Sequence, residues 1–177
     1  MTPVVLLDGG MGQEIVRRAG ESPHPLWSVH VMFERPEIVR AVHLDFIRAG
    51  ARVITINAYS ATRPRLDRNG AGERFFEAQQ TACRIAAEAR DAAGEDVAIA
   101  GCLPPLQFSY RPELADDEDA AFEQYRELAE LQAPHVDLLL AETIPTALEG
   151  RAAARAVERV GLPFWLAWTL DEGGGGR

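Results

Sequence analysis

Asp8 and Glu142 are the residues whose type and position most suggest chemistry. Each closes an apolar run, "VVLLD" from Val4 and "VDLLLAET" from Val136. A carboxylate at the end of a buried strand is partly desolvated, so it needs a cation, backbone N–H groups or a ligand amine. For either acid alone, helix capping or pairing with a nearby arginine is the competing explanation. Two acids at equivalent strand ends point instead to a site. Gly9 and Gly10 follow Asp8. They fit close approach of a small ligand to the backbone, and equally a tight strand-to-helix turn. Asn57 and Tyr59 end another apolar run and offer hydrogen-bonding groups, although Tyr59 also suits packing at a rim. Trp27, in "HPLWSV", reads as a loop residue that lids or plugs such a site.

Composition narrows the class. The chain has 177 residues and a formal net charge of -9, and all its basic side chains except histidine are arginines. Without a basic stripe it is a poor partner for nucleic acid or an anionic membrane. Without lysine it forms no Schiff base. No apolar run reaches the roughly 18 residues of a membrane span, and the N-terminus does not read as a secretory signal. The two cysteines, Cys83 and Cys102, match no zinc or disulfide spacing. A reducing, cytoplasmic setting is expected. The four histidines show no metal spacing either. His43, within a helix, and His135, before a strand, are expected in solvated or helix-end roles.

The elements that must position these residues alternate. Strand-like runs cover Val4–Asp8, Arg52–Tyr59, Val97–Leu103, Val136–Thr143 and Pro163–Leu170. Most are continuously apolar, which suits parallel strands covered on both faces. Helical patterns lie between them. One begins near Pro36 with a stripe of Val39, Val42, Phe46 and Ala49 and ends at Gly50. Another carries Phe75, Ala78, Ala82, Ile85, Ala86 and Ala89 on one face and ends at Gly94. A third starts acidic and stops by Pro134, and a fourth ends at Gly161. This order predicts a parallel α/β fold, either an open doubly wound sheet or part of an eightfold barrel. "DGGMG" lacks the dinucleotide-binding spacing. In either architecture the site lies at the carboxyl ends of the strands.

Four stretches in order, "LLDGGMGQE", "IRAGARVITINAYSAT", "AGCLPPL" and "LLLAETIPTALEGRAA", resemble the homocysteine S-methyltransferase family. The resemblance implies an α/β fold, an incomplete (β/α)8 TIM-type barrel of about five βα units over residues 1–172. Residues 173–177 would be a flexible glycine-rich tail. It implies transfer of a methyl group to the thiol of homocysteine, giving methionine. The partners are then homocysteine and a methyl donor, with S-methylmethionine, S-adenosylmethionine, a betaine and a folate all open. Asp8 and Glu142 would hold the ammonium group, Gly9 and Gly10 would line the substrate, and Trp27 would sit over it. Asn57 and Tyr59 complete the expected binding set. The family's zinc ion, bound by three cysteines, activates the thiol. Those cysteines belong to later βα units, as Gly-x-Asn-Cys and an adjacent pair, and neither motif occurs in this sequence. The chain therefore reads as truncated, without a metal and inactive alone. "GCLPPLQFSYRPEL" replaces a commoner Gly-Pro-Tyr-Gly loop and marks a divergent branch. A non-catalytic binding or interaction protein built on a partial barrel is the alternative function. An unrelated acid/base enzyme using Asp8 and Glu142 is a weaker one. Five parallel strands cannot close, so open edges predict self-association or a partner.

Overall fold

The computed structural model describes residues 4–20, 22 and 24–170. The glycine-rich tail at 173–177 lies outside them. The order is α1 (Met11–Ala19), α2 (Trp27–Glu34), α3 (Pro36–Arg48), β1 (Val53–Thr55), α4 (Arg63–Arg68), α5 (Phe75–Ala93), β2 (Ala98–Leu103), α6 (Glu118–Gln132), β3 (Leu138–Ile144), α7 (Ala147–Val160) and β4 (Phe164–Trp168). The four strands form one parallel sheet in the order β1-β2-β3-β4. Each crossover brings the chain back to the next sheet position, as a barrel wall requires.

The first expected strand is corrected. Val4–Asp8 is not a ladder strand: Leu7 makes an isolated parallel bridge to Val53. Asp8 N donates to Val53 O at 2.9 Å and Arg52 N to Leu6 O at 2.8 Å. With a neighbour on one side only, the segment is also uncovered, and Val4 is 96% exposed. At the other end of the sheet Trp165, Trp168 and Leu170 are exposed. The expectation of strands buried on both faces therefore describes β1 to β3 and not the margins. No helix of the described residues is long and apolar enough to cross a membrane.

Alternation along the inner strands makes two faces. Ile54, Ile99, Leu103, Leu139 and Ala141 join the main core that the helices cover. Val53, Ala100 and Leu138 form a second small cluster on the opposite face. Thr55, Cys102 and Glu142 follow that second face towards the carboxyl ends.

The long helices form where period and caps agree. On α5 all six residues of the expected stripe are buried. α5 and α7 stop at Gly94 and Gly161, with φ of 66° and 69°. Asp117 caps α6, accepting from Asp119 N and Ala120 N, and the Thr146 hydroxyl caps α7 through Glu149 N at 3.1 Å.

On α3 the buried face is Val39, Val42, His43 and Ile47. It is rotated from the expected stripe, and Ala49 faces outward. His43 takes the middle of that face. It is fully buried, and neither ring nitrogen has a hydrogen-bond partner among the described residues. The solvated role expected for it is therefore wrong. Burial pushes its pKa down to about 3. The unfolded histidine titrates near 6.5, so between these values only the unfolded chain takes up the proton. Stability present above the unfolded value is lost as pH falls through that window. The loss is on the order of 2–3 kcal/mol between about pH 7 and 4.5. Replacing His43→Leu is expected to remove this part of the acid sensitivity. Urea unfolding of both proteins at the two pH values measures it. An equal pH dependence in wild type and variant would count against a neutral buried imidazole. Carboxyls with raised pKa act in the opposite sense, and the comparison cancels them.

Candidate functional site

A cavity of about 710 Å³ opens at the carboxyl ends of the strands. Asp8 enters it from the segment beside β1. Its Oδ2 accepts from Thr55 N at 2.7 Å and its Oδ1 from the Thr55 hydroxyl at 3.2 Å. These bonds fix the carboxylate at the end of the neighbouring strand. Glu142 enters from β3, where the pairing with β4 slips between Ala141 and Ile144. Thr143 within this bulge has φ of 61°. Alternation with Leu140, which lines the cavity too, puts Glu142 on this face, and the bulge interrupts the regular ladder there. The buried Cys102 thiol on β2 donates to Glu142 Oε1 at 3.4 Å.

The electrostatics of the two acids follow from their surroundings. Burial pushes the Asp8 carboxyl up to about 6, against the two bonds from Thr55 that lower it, and the charge of Glu142 raises it further. Burial also raises Glu142, against its bond from Cys102. No ion pair joins either acid to a basic side chain among the described residues. Two desolvated carboxylates sharing a cavity, neither ion-paired to a basic side chain among the described residues, are costly to keep ionised. A ligand ammonium group between them would relieve both.

The aromatic wall is built by a different device. Trp27 is the first residue of α2, not a loop residue, and has φ of 50°. Ser28 Oγ donates to Asn57 Oδ1 at 2.7 Å, and Asn57 Nδ2 donates to Ser28 O at 3.1 Å. Asn57 thus ties the start of α2 to the end of β1, and both its polar atoms are engaged. A Cβ on Gly12 would fall inside the Trp27 ring, so the missing side chain is what lets the indole lie on α1. Tyr59 meets Trp27 edge to face, with ring centres 6.2 Å apart. Its hydroxyl shares a 2.7 Å hydrogen bond with Ser109 Oγ. Gly9 has a packing reason, since a Cβ there would come within 3.0 Å of the Phe46 ring. Gly10 has none: its nearest neighbour would be 3.9 Å away. It is also the N-cap of α1 and offers no side chain to the first-turn amides.

All seven expected residues, Asp8, Gly9, Gly10, Trp27, Asn57, Tyr59 and Glu142, line this one cavity. The reading of the sequence missed Thr55, Ser28, Arg65, Tyr110 and Thr143, which line it too. Trp27, Tyr110 and Thr143 are the non-glycine residues with positive φ among the described residues, and all three are in the lining. Strained backbone of this kind persists where the surroundings hold it and gathers at functional sites. A bare sequence carries no signal for it.

The cysteines do not make a metal centre. Cys83 sits on α5, where burial pushes its thiol up to about 11. Cys102, on β2, is raised well above the usual thiol value by burial and by Glu142. Among the described residues no three histidine, cysteine, aspartate or glutamate side chains converge. The described residues do not fit a zinc ion.

Comparison with known proteins gives a consistent result. The family model described as Homocysteine S-methyltransferase matches residues 5–176. Homocysteine S-methyltransferase 1 of Arabidopsis thaliana is 29% identical over 191 residues, covering 95% of this chain and 59% of that protein. Homocysteine S-methyltransferase YbgG of Bacillus subtilis is 28% identical, covering 97% and 60%. The crystal structure of the metallated homocysteine methyltransferase MmuM from Escherichia coli superposes with a TM-score of 0.81 at 28% identity. That match covers 96% of this chain and 64% of the other. The chain spans about 60% of the length of the curated relatives it matches.

Proposed function

The chain belongs to the homocysteine S-methyltransferase family, and from that premise we propose that its cavity seats homocysteine for methylation at sulfur. The observation behind the reading is the pair of desolvated carboxylates, Asp8 and Glu142, neither ion-paired to a basic side chain among the described residues. They take the ammonium group. The uncapped amides at the start of α1, beside the bare Gly10, suit the carboxylate. Trp27 and Tyr59 form an apolar wall that keeps water from the ligand. In the transfer the thiol sulfur gains a bond to the methyl carbon. The donor keeps the electron pair of the bond that breaks, and the thiol proton leaves. This chain's residues bind and orient the amino acid. Activation of the sulfur lies outside what the described residues supply, so the chain alone is expected to bind homocysteine without turning it over.

Binding should depend on pH in a defined direction. With Asp8 at about 6, acid protonates the group that receives the ammonium. Affinity is therefore expected to fall about tenfold between about pH 7.5 and 5. Binding near pH 6 should release protons, because the ammonium group lowers both carboxyl pKa values. Calorimetry in two buffers of different ionisation enthalpy reads both effects. Affinity that stays flat or rises in acid would remove the carboxylates from the ligand's contacts.

A further inference from the structure

The cavity contains a second charged feature that the amino-acid reading does not use. Arg65, on α4, is the basic side chain that lines it among the described residues. Its neighbour two positions earlier, Arg63, pairs with Glu127 at 2.5 Å. Arg65 has no such carboxylate within ion-pair distance among the described residues. Its Nη2 donates to Pro105 O at 3.0 Å and more weakly to Ser109 Oγ at 3.4 Å. Its Nε is buried without a partner, while a hydrogen bond with the Tyr59 side chain raises its pKa against the lowering by burial. The Tyr59 ring lies 5.2 Å from the guanidinium carbon. Neutral dipoles thus hold the group in place, with Glu149 near enough to feel its charge but no carboxylate bonded to it, a costly arrangement for a buried cation.

We propose that Arg65 is the anion subsite of this cavity, receiving a carboxylate of a bound ligand through its guanidinium, whose Nε the chain leaves unpartnered. A planar guanidinium matches a carboxylate in shape as well as charge. Burial lowers the Arg65 pKa, and an anion beside it would reverse that. Arg65 then sets specificity: ligands bearing a carboxylate at this end are favoured over neutral or purely cationic ones. The assignment rests on the cavity being the ligand site proposed above. The carboxylate comes either from the amino acid or from the methyl donor, and the test separates them.

The first arm follows the Arg65 side-chain resonance, assigned by its disappearance in Arg65→Gln, during titration with sodium acetate against sodium chloride at matched ionic strength. A saturable shift with acetate is expected. The second arm compares wild type, Arg65→Gln and Arg65→Lys by calorimetry. Its probes are homocysteine and homocysteamine, which lacks the carboxylate, then glycine betaine and tetramethylammonium, which lacks it too. A loss of about tenfold or more for homocysteine, with homocysteamine unchanged, assigns the amino-acid carboxylate. The same split between glycine betaine and tetramethylammonium assigns the donor. Partial rescue by lysine supports charge recognition. If acetate shifts Arg65 but wild type does not bind homocysteine, the subsite stands and the amino-acid reading falls. No saturable shift with acetate, homocysteine or glycine betaine overturns the subsite. Equal losses for the probes with and without a carboxylate also overturn it, and make Arg65 a structural prop.

Discussion

Replacing Asp8→Asn together with Glu142→Gln is expected to weaken homocysteine binding at least a hundredfold. A charge-assisted hydrogen bond contributes on the order of 1.5–3 kcal/mol, and two of them meet one ammonium group. The effects share a partner, so they will not add fully. Stability should move the other way. Burial raises both carboxyls, and the charge of Glu142 raises Asp8. Neutral amides spare the fold that strain, so the double variant is expected to unfold at no lower urea concentration than wild type near neutral pH. Calorimetry and urea unfolding of the same preparation give both numbers. Unchanged affinity in the folded double variant would end the ammonium assignment. Lost affinity with a large loss of stability would mean that the carboxylates brace the sheet instead.

The second large effect lies beneath the cavity. Gln132, at the end of α6, is fully buried. Its Oε1 accepts from Cys102 N at 2.8 Å, and its Nε2 donates to Cys102 O at 3.1 Å and to Gln79 Oε1 at 2.9 Å. Gln79 Nε2 in turn donates to Ala61 O at 2.8 Å. One amide thus serves both backbone groups of Cys102, as a neighbouring strand would. Gly101 makes this possible, since a Cβ there would come within 2.6 Å of Gln132 Oε1. Gln132→Ala leaves three buried polar groups unpaired and opens a cavity, at a cost of about 4 kcal/mol. Gln132→Leu restores most of the volume and none of the hydrogen bonds, so it should recover only part of that loss. Urea midpoints of the two variants test this. A loss below about 1 kcal/mol in the alanine variant would show that water replaces the amide freely.

The sequence made some of this legible for identifiable reasons. Long helices such as α5 and α7 repeat their apolar spacing several times and end on glycine, so period and cap agree. Asp8 and Glu142 stand out because a charged residue interrupts an apolar run. α1, α2 and α4 are short, with 9, 8 and 6 residues, and give too few turns for a period. Trp27 was misread for that reason. His43 was misread because a helix stripe is drawn through apolar residues, and an imidazole in the middle of one leaves no mark. Val4–Asp8 has the composition of a buried strand, but burial depends on what lies beside it. Thr143 is the plainest case. A left-handed threonine arises from how two strands slip past each other, and neither its own type nor its neighbours announce it.

The sheet order β1-β2-β3-β4 has a consequence for how the molecule is made. Each strand pairs with the one synthesised just before it, across one helical crossover. Within the described sheet each ladder joins strands that are consecutive in the chain. A nascent polypeptide can lay down its wall in the direction of translation, one unit at a time, at the low loop-closure cost of near neighbours. The cavity lining runs from Leu7 to Ala167. Once Ala167 has cleared the ribosome the described lining has been made, and a ligand that bridges Asp8 and Glu142 joins the first segment of that wall to its third strand. Those two parts of the described wall are then tied by one small contact point rather than by a ladder.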